Sequence, residues 1–310
     1  VLTFLIKSLC KMALTLFLII TVVFFATRLS GDAIDFIAGE GLDAQSRSEL
    51  ITYYGLQEDI VTQYWRYLHS IAQGEFGISL IERRPVTTMF RERVVPTLQL
   101  IGGAILLTLV VAIPAGIYAA VRRQHASAKG MMTAAFIGYA TPNFVLATLL
   151  LLVFSYWLQI LPSAGNSTWL HYLMPVTALS LTYIASLLRY TRNATLDVLG
   201  QDFLRTARAK GVSEREVIFY HVLRNTLITV LSVTGLMVTG LVSSGAVVIE
   251  SIFSWRGIGD LLVNAAIRRD YPVLQFGVLA VAAAVITLNT LIDIAYALID
   301  PRVRLGARAA

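Results

Sequence analysis

Charge is scarce in this chain, at 14% of 310 residues, and cysteine occurs once. With so few charged side chains, 56% hydrophobic residues and a mean hydropathy of +0.71, an ordinary soluble domain is excluded and a bilayer is indicated. The lone Cys10 excludes an intrachain disulfide and a cysteine metal cluster, and at the edge of the first apolar run it is expected to be a small buried apolar residue. No G-x-x-x-x-G-K-[ST] loop, H-E-x-x-H pair or G-x-S-x-G elbow occurs, and the four histidines are scattered. An NTPase, a zinc protease and a serine hydrolase are thereby set aside. The chain is expected to be no enzyme, with no cofactor or metal of its own. A net charge of +6 raises the question of nucleic acid. The basic residues, however, stand at the ends of apolar runs instead of covering one polar face, so membrane orientation accounts for them and nucleic acid is no expected partner.

What the chain has in abundance is apolar run. Met12 to Thr27 is uncharged, and snorkelling of Lys11 extends it to a first span at about 9–29, read as uncleaved for want of an A-x-A site. A polar, extracytoplasmic loop follows at about 30–96, in which Ile60, Tyr64, Leu68 and Ile71 recur at helical spacing and predict an amphipathic helix against membrane or partner. Thr97 to Val121 makes the second span, closed by Arg122, Arg123 and Lys129. From Gly130 to Leu188 there is no Asp, Glu, Lys or Arg, and LPSAGNSTW at 161–169 divides the stretch into helices at Met131 to Leu158 and Tyr172 to Leu188. Pro142 kinks the first of these. Thr226 to Ile249, with Gly235, Gly240 and Gly245, is the fifth span, and Leu274 to Leu298 the sixth. Glu250 to Pro272 between them is too charged to cross.

Between the fourth and fifth spans stands a charged island, Gln201 to Asn225. At about 100° per residue, Gly200, Phe203, Leu204, Ala207 and Gly211 share a narrow, small-residue sector, which predicts a contact face with one aromatic knob. Gly211 should end that helix in the left-handed conformation, and Ser213 with Glu216 should cap the next. The island therefore reads as helix, sharp turn, helix.

RTARAKG followed by VIFYHVLRN resembles the cytoplasmic coupling loop of ABC importer permeases of the dipeptide, oligopeptide and nickel family. The broader superfamily pattern, E-A-A then three residues then Gly, is met literally only by Ala207 and Gly211, since Arg205 and Thr206 stand in its first two positions. GEFGISLIERRPV with RERVVPTLQL, ESIFSWRGIGDLLVNAAIRRDYP and LIDIAYALIDPRVRL extend the likeness to nearly the whole chain, although Arg256 stands where the family would have proline. The resemblance implies an all-α polytopic membrane protein of six transmembrane helices with the type I ABC importer permease fold. It implies one permease domain over 1–310, with five core spans at about 97–299 and the coupling loop at 189–225. It also implies partners: a second homologous permease as heterodimer, two ATPase subunits carrying the ATP and Mg, and an extracytoplasmic solute-binding protein. The ATPase-docking helix would then be Gln201, Asp202, Phe203, Leu204, Arg205, Thr206, Ala207, Arg208, Ala209, Lys210 and Gly211.

The solute path, if two permeases enclose one, is expected along the broken third helix and the glycine-rich fifth, at Thr141, Asn143, Ser243 and Ser244, which are small and neutral. Placing both termini in the cytoplasm of a bacterial inner membrane puts about 15 of the 25 basic residues inside. Peptides or similar solutes are the expected cargo, with nickel, glutathione and opines as alternatives. A proton-coupled transporter using Asp293 and a passive scaffold are the rivals from other classes. For Asp293 the simpler reading is pairing near the interface with Arg302 and Arg304.

Overall fold

The computed structural model describes residues 2–29 and 57–299, with the side chains of 2–9, 228, 229, 244, 293 and 296–299, Ser244 and Asp293 among them, outside the described set. The first part of the acidic first loop, at 30–56, and the C-terminal Arg302 and Arg304 lie outside it as well. Apart from one isolated antiparallel bridge between Ile78 and Pro85, the described regular structure is helical. The chain divides into two compact units, residues 1–95 with 256–287, and 96–255 with 288–310.

The first unit contains α1 (Leu2–Leu29), α2 (Ile60–Ala72), the start of α3 (Val86–Val121), α11 (Ile258–Ile267) and most of α12 (Tyr271–Ile299). The predicted amphipathic helix exists as α2. Asp59 starts it by accepting hydrogen bonds from the Thr62 hydroxyl and the Thr62 and Val61 amides, which hold its carboxyl below the usual 3.8. The inner face of α2 lies on α1: Phe24 stacks on Tyr67 at 5.3 Å, and Tyr64 reaches the Thr21 hydroxyl at 2.7 Å. Burial pushes the Tyr67 hydroxyl up to about 12. A buried pair ties the loop before α3 to the start of α12: the Ser79 hydroxyl and the Leu80 amide both donate to the Asp270 carboxylate. Cys10 on α1 is exposed instead of buried, because α1 packs only part of its circumference and the rest is left for lipid or a partner.

The second unit is built around α6 (Leu170–Leu199), against which pack α4 (Ala126–Ala140), α5 (Asn143–Leu150), α9 (Leu223–Gly240) and α10 (Ala246–Ile252). α3 approaches α6 closely at Gly116, where an added Cβ would stand 2.6 Å from the Thr191 Cβ and 2.8 Å from the Leu188 carbonyl. Leu100, Leu179, Leu241, Ile249 and Trp255 form its main core, with Trp255 edge-on to Tyr172 and its indole N–H donating to the Pro96 carbonyl at 3.0 Å. The fully buried Glu250 accepts from the Thr97 hydroxyl at 2.6 Å.

Four described segments are long and apolar enough to cross a membrane: Cys10–Leu29, Val86–Val121, Leu170–Leu199 and Tyr271–Ile292. Two bent pairs bring the number to six if each pair makes one crossing. The first of these is the interruption expected at Pro142. Ala126–Ala140 and Asn143–Trp157 meet at 102°, since Thr141 before the proline is forced to an extended ψ of 123° and Pro142 offers no amide to continue the ladder. The second helix begins earlier than expected, at Val86, because Met89 and Phe90 are buried with Leu261 and Val273 and carry the helix past the charged Arg91, Glu92 and Arg93.

Candidate functional site

The charged island folds as a helix, a turn and a second helix, and each part follows from local sequence. α7 (Asp202–Ala209) follows Gln201, which takes an extended ψ of 144°. Its C-terminus closes by two bonds, from the Gly211 amide to the Arg208 carbonyl at 3.0 Å and from the Val212 amide to the Ala207 carbonyl at 3.3 Å. That pattern needs a left-handed residue, and Gly211 supplies it with φ +80°. Ser213 then caps α8 (Glu214–Glu216) with the reciprocal box expected of it: the Glu216 amide donates to the Ser213 hydroxyl, and the Ser213 amide to the Glu216 carboxylate. From there the chain runs through a π-helical stretch, Val217–Val222, into α9.

The narrow face of α7 is divided: Gly200, Phe203 and Gly211 are exposed, while Leu204 and Ala207 turn into the chain itself. Leu204 is fully buried and Ala207 nearly so, in a cluster with Val217 and Val222 that also includes Val198, Leu199 and Val212. These residues fasten α7 to its own chain, because the valines that follow the turn come back beneath it. What α7 leaves open is the rest, Gln201, Asp202, Phe203, Arg205, Thr206, Arg208, Ala209 and Lys210, all exposed. Phe203, at 44% exposure, stands 6.5 Å from the His221 ring. Arg208 bridges the turn by donating from Nε to the Glu214 carboxylate at 2.6 Å, and this bond holds its guanidinium above the ordinary value. The Arg205–Asp202 pair, by contrast, is nearly all in solvent and contributes little. The bridge was not singled out from the sequence, and His221 entered only as part of the VIFYHVLRN stretch. A cation in the last turn of α7 and an acid just beyond Gly211 are the signal for the first, whereas His221 reaches Phe203 only through the fold.

The four candidate path residues lie on two elements. Thr141 and Asn143, half-buried, flank the break at Pro142. Ser243 is exposed in a π-helical turn, Leu241–Gly245, between α9 and α10. α5 packs against α10, so the broken helix and the glycine-rich one do meet. The hydroxyls of Thr141 and Ser243 each donate within their own helix, to the Ile137 carbonyl at 2.8 Å and the Gly240 carbonyl at 3.2 Å. Gly240 and Gly245 make room for Tyr183, whose hydroxyl lies 3.3 and 3.1 Å from where their Cβ atoms would be. Among the described residues no group of three or more His, Cys, Asp or Glu could hold a metal ion.

Residues 112–305 match the family described as "Binding-protein-dependent transport system inner membrane component". The chain is 39% identical over 304 residues to the glutathione transport system permease protein GsiC of Escherichia coli (strain K12) and to that of Shigella dysenteriae serotype 1 (strain Sd197), covering 98% of this chain and 99% of each relative. Among solved structures, an inward-facing MetNI methionine ABC transporter aligns with a TM-score of 0.58 at 15% identity, over 70% of this chain and 98% of that one, which shows the fold. With this family match and near full-length similarity, the chain belongs to the binding-protein-dependent transport system inner membrane components, the multi-pass permease subunits of ABC importers, and is itself not catalytic.

Proposed function

We propose that this permease admits short peptides or peptide-like solutes such as glutathione, in a heterodimer with a second homologous permease, and that α7 is its point of contact with one of two ATPase subunits. The cargo class is supported by the 39% identity to permeases named for glutathione transport. The ATPase contact rests on one observation: α7 is fastened by Leu204 and Ala207 while Phe203, Arg205 and Arg208 are offered outward. A helix held rigidly on one side and open on the other transmits displacement instead of absorbing it. ATP and Mg stay on the ATPase subunits, whose closure pushes α7 and rocks the helices around the path.

The test is uptake of labelled glutathione and of di- and tripeptides by cells carrying the whole transporter, with ATPase co-purification measured alongside. Phe203→Asp should abolish uptake of the transported solute and lower ATPase recovery, while the permease keeps its amount in the membrane. Undiminished ATPase recovery and uptake would move the contact elsewhere. For the path, we assign Thr141, Asn143, Ser243 and Ser244 to its wall. Ser243→Trp should block uptake with the complex assembled and ATP hydrolysis retained, and Ser243→Ala should do little. Normal transport in the Trp variant would return the π-helical turn to a packing role.

A further inference from the structure

A cavity of about 230 Å³ opens where α3 ends, α4 begins and α6 passes, lined by Ala119, Arg123, Ala128, Lys129, Met132 and Arg192. Three of its six lining residues are cations, and none is an acid. On these elements no Asp or Glu occurs between Glu92 and Asp197, the latter five residues beyond Arg192 on α6. Among the described residues, none of the three has a carboxylate within ion-pair distance. The Arg192 Nε is buried without a hydrogen-bond partner, and the far end of that guanidinium reaches only the Asn193 side-chain oxygen, at 3.4 Å. Neighbouring cations of the same region are engaged otherwise: Arg122 bonds His125 at 3.1 Å, and Arg189 lies over the Tyr139 ring at 4.7 Å.

Three like charges around a small space repel one another, and a buried guanidinium N–H with no acceptor is costly, so the arrangement calls for an anion. The α4 N-terminus adds to the field, because His125 stands at its N-cap without a side-chain capping bond, leaving the first turn's amides without a side-chain acceptor. Depth selects the kind of anion. The apolar α3 span ends at Val121, two residues before Arg123, so the cavity lies at the membrane boundary, with Ala119, Ala128 and Met132 giving it an apolar wall. We infer that this cavity binds a phosphate group, in the membrane that of an anionic phospholipid headgroup. The three cations meet its oxygens, and the apolar wall takes the adjoining glycerol carbons. The occupant would fill the gap between α3, α4 and α6 at the end of α6 that leads into α7.

The experiment is native mass spectrometry of the complete transporter in neutral detergent, titrated with phosphatidylglycerol or with phosphatidylcholine, each with and without excess inorganic phosphate. Phosphatidylglycerol should be retained in preference, with about fivefold weaker retention for each cation removed in Arg192→Gln and Arg123→Gln, and less loss in Arg192→Lys. Arg122→Gln removes the same charge from the same turn but lines no part of the cavity, so it should leave retention nearly unchanged. An equal loss there would mean general surface attraction and would overturn the site. Displacement of the lipid by inorganic phosphate supports the phosphate site and assigns it to the free ion; resistance to displacement assigns it to the headgroup. Equal retention of the two lipids, with no effect of phosphate, sinks the inference. So does loss of ATPase subunits from Arg192→Gln with lipid retention intact, since the cavity would then serve a partner's carboxylate.

Discussion

Two glycines show how differently the same residue type can be required. Gly211 has open space around its missing Cβ, so only its φ of +80° makes glycine necessary. Gly116 has an ordinary helical backbone, but a Cβ there would run into Thr191 and a main-chain carbonyl that cannot step aside. Gly211→Ala should therefore cost about 1 kcal/mol, and Gly211→Asn less, since asparagine tolerates the left-handed region. Gly116→Ala should cost about 1–3 kcal/mol by prising α3 from α6. Thermal unfolding of the purified transporter would rank the three, and a Gly116→Ala variant as stable as Gly211→Asn would contradict the close approach. Only the first requirement is legible in the sequence, because Gly211, Ser213 and Glu216 act within one turn of each other. The partners of Gly116 lie on another helix, and nothing in the spacing announces them. The same holds for the phosphate cavity, whose cations at 123, 129 and 192 are unremarkable until the fold gathers them.

At the scale of elements, the sequence shows which residues of α7 share a face but not which of them the fold covers. Cover is decided by Val217 and Val222, which return beneath α7 only because the capped turn reverses the chain. The broken helix was legible as a break, since proline leaves no alternative, but its 102° angle depends on how α5 packs on α6 and α10. The three π-helical stretches among the described residues, Leu151–Trp157, Val217–Val222 and Leu241–Gly245, have no sequence signature that the apolar pattern could reveal. The orientation of α7 carries a prediction. Leu204→Ala removes the anchor and should cost about 2–4 kcal/mol locally, so that α7 no longer transmits force. Phe203→Ala removes only an exposed ring and should leave stability within about 0.5 kcal/mol. In hydrogen exchange, the amides of α7 should lose protection in Leu204→Ala and keep it in Phe203→Ala. Equal protection in the two variants would show that the small face does not hold the helix.

For the whole molecule the question is which side of the membrane each end of the helices meets. With six crossings both termini share a side, and the basic residues closing α3 and those of the loop that carries α7 fall together on that side. Positive charge resists translocation, so we assign that side to the cytoplasm, where the ATPase subunits are, and α2 to the opposite surface. Ser127, Ser213 and Gln73 are all exposed, so a cysteine at any of them reports its side of the membrane and not its burial. With Cys10 replaced by serine, Gln73→Cys in intact cells should react with an impermeant maleimide, while Ser127→Cys and Ser213→Cys should not. Sealed inside-out vesicles should reverse the result for Ser127→Cys. Ser213→Cys should follow it only when the ATPase is stripped away, because in the complete transporter a subunit seated on α7 would shade the neighbouring turn. Reaction of Ser127→Cys in intact cells would invert the topology and leave the loop that carries α7 on the side where no ATPase could reach it.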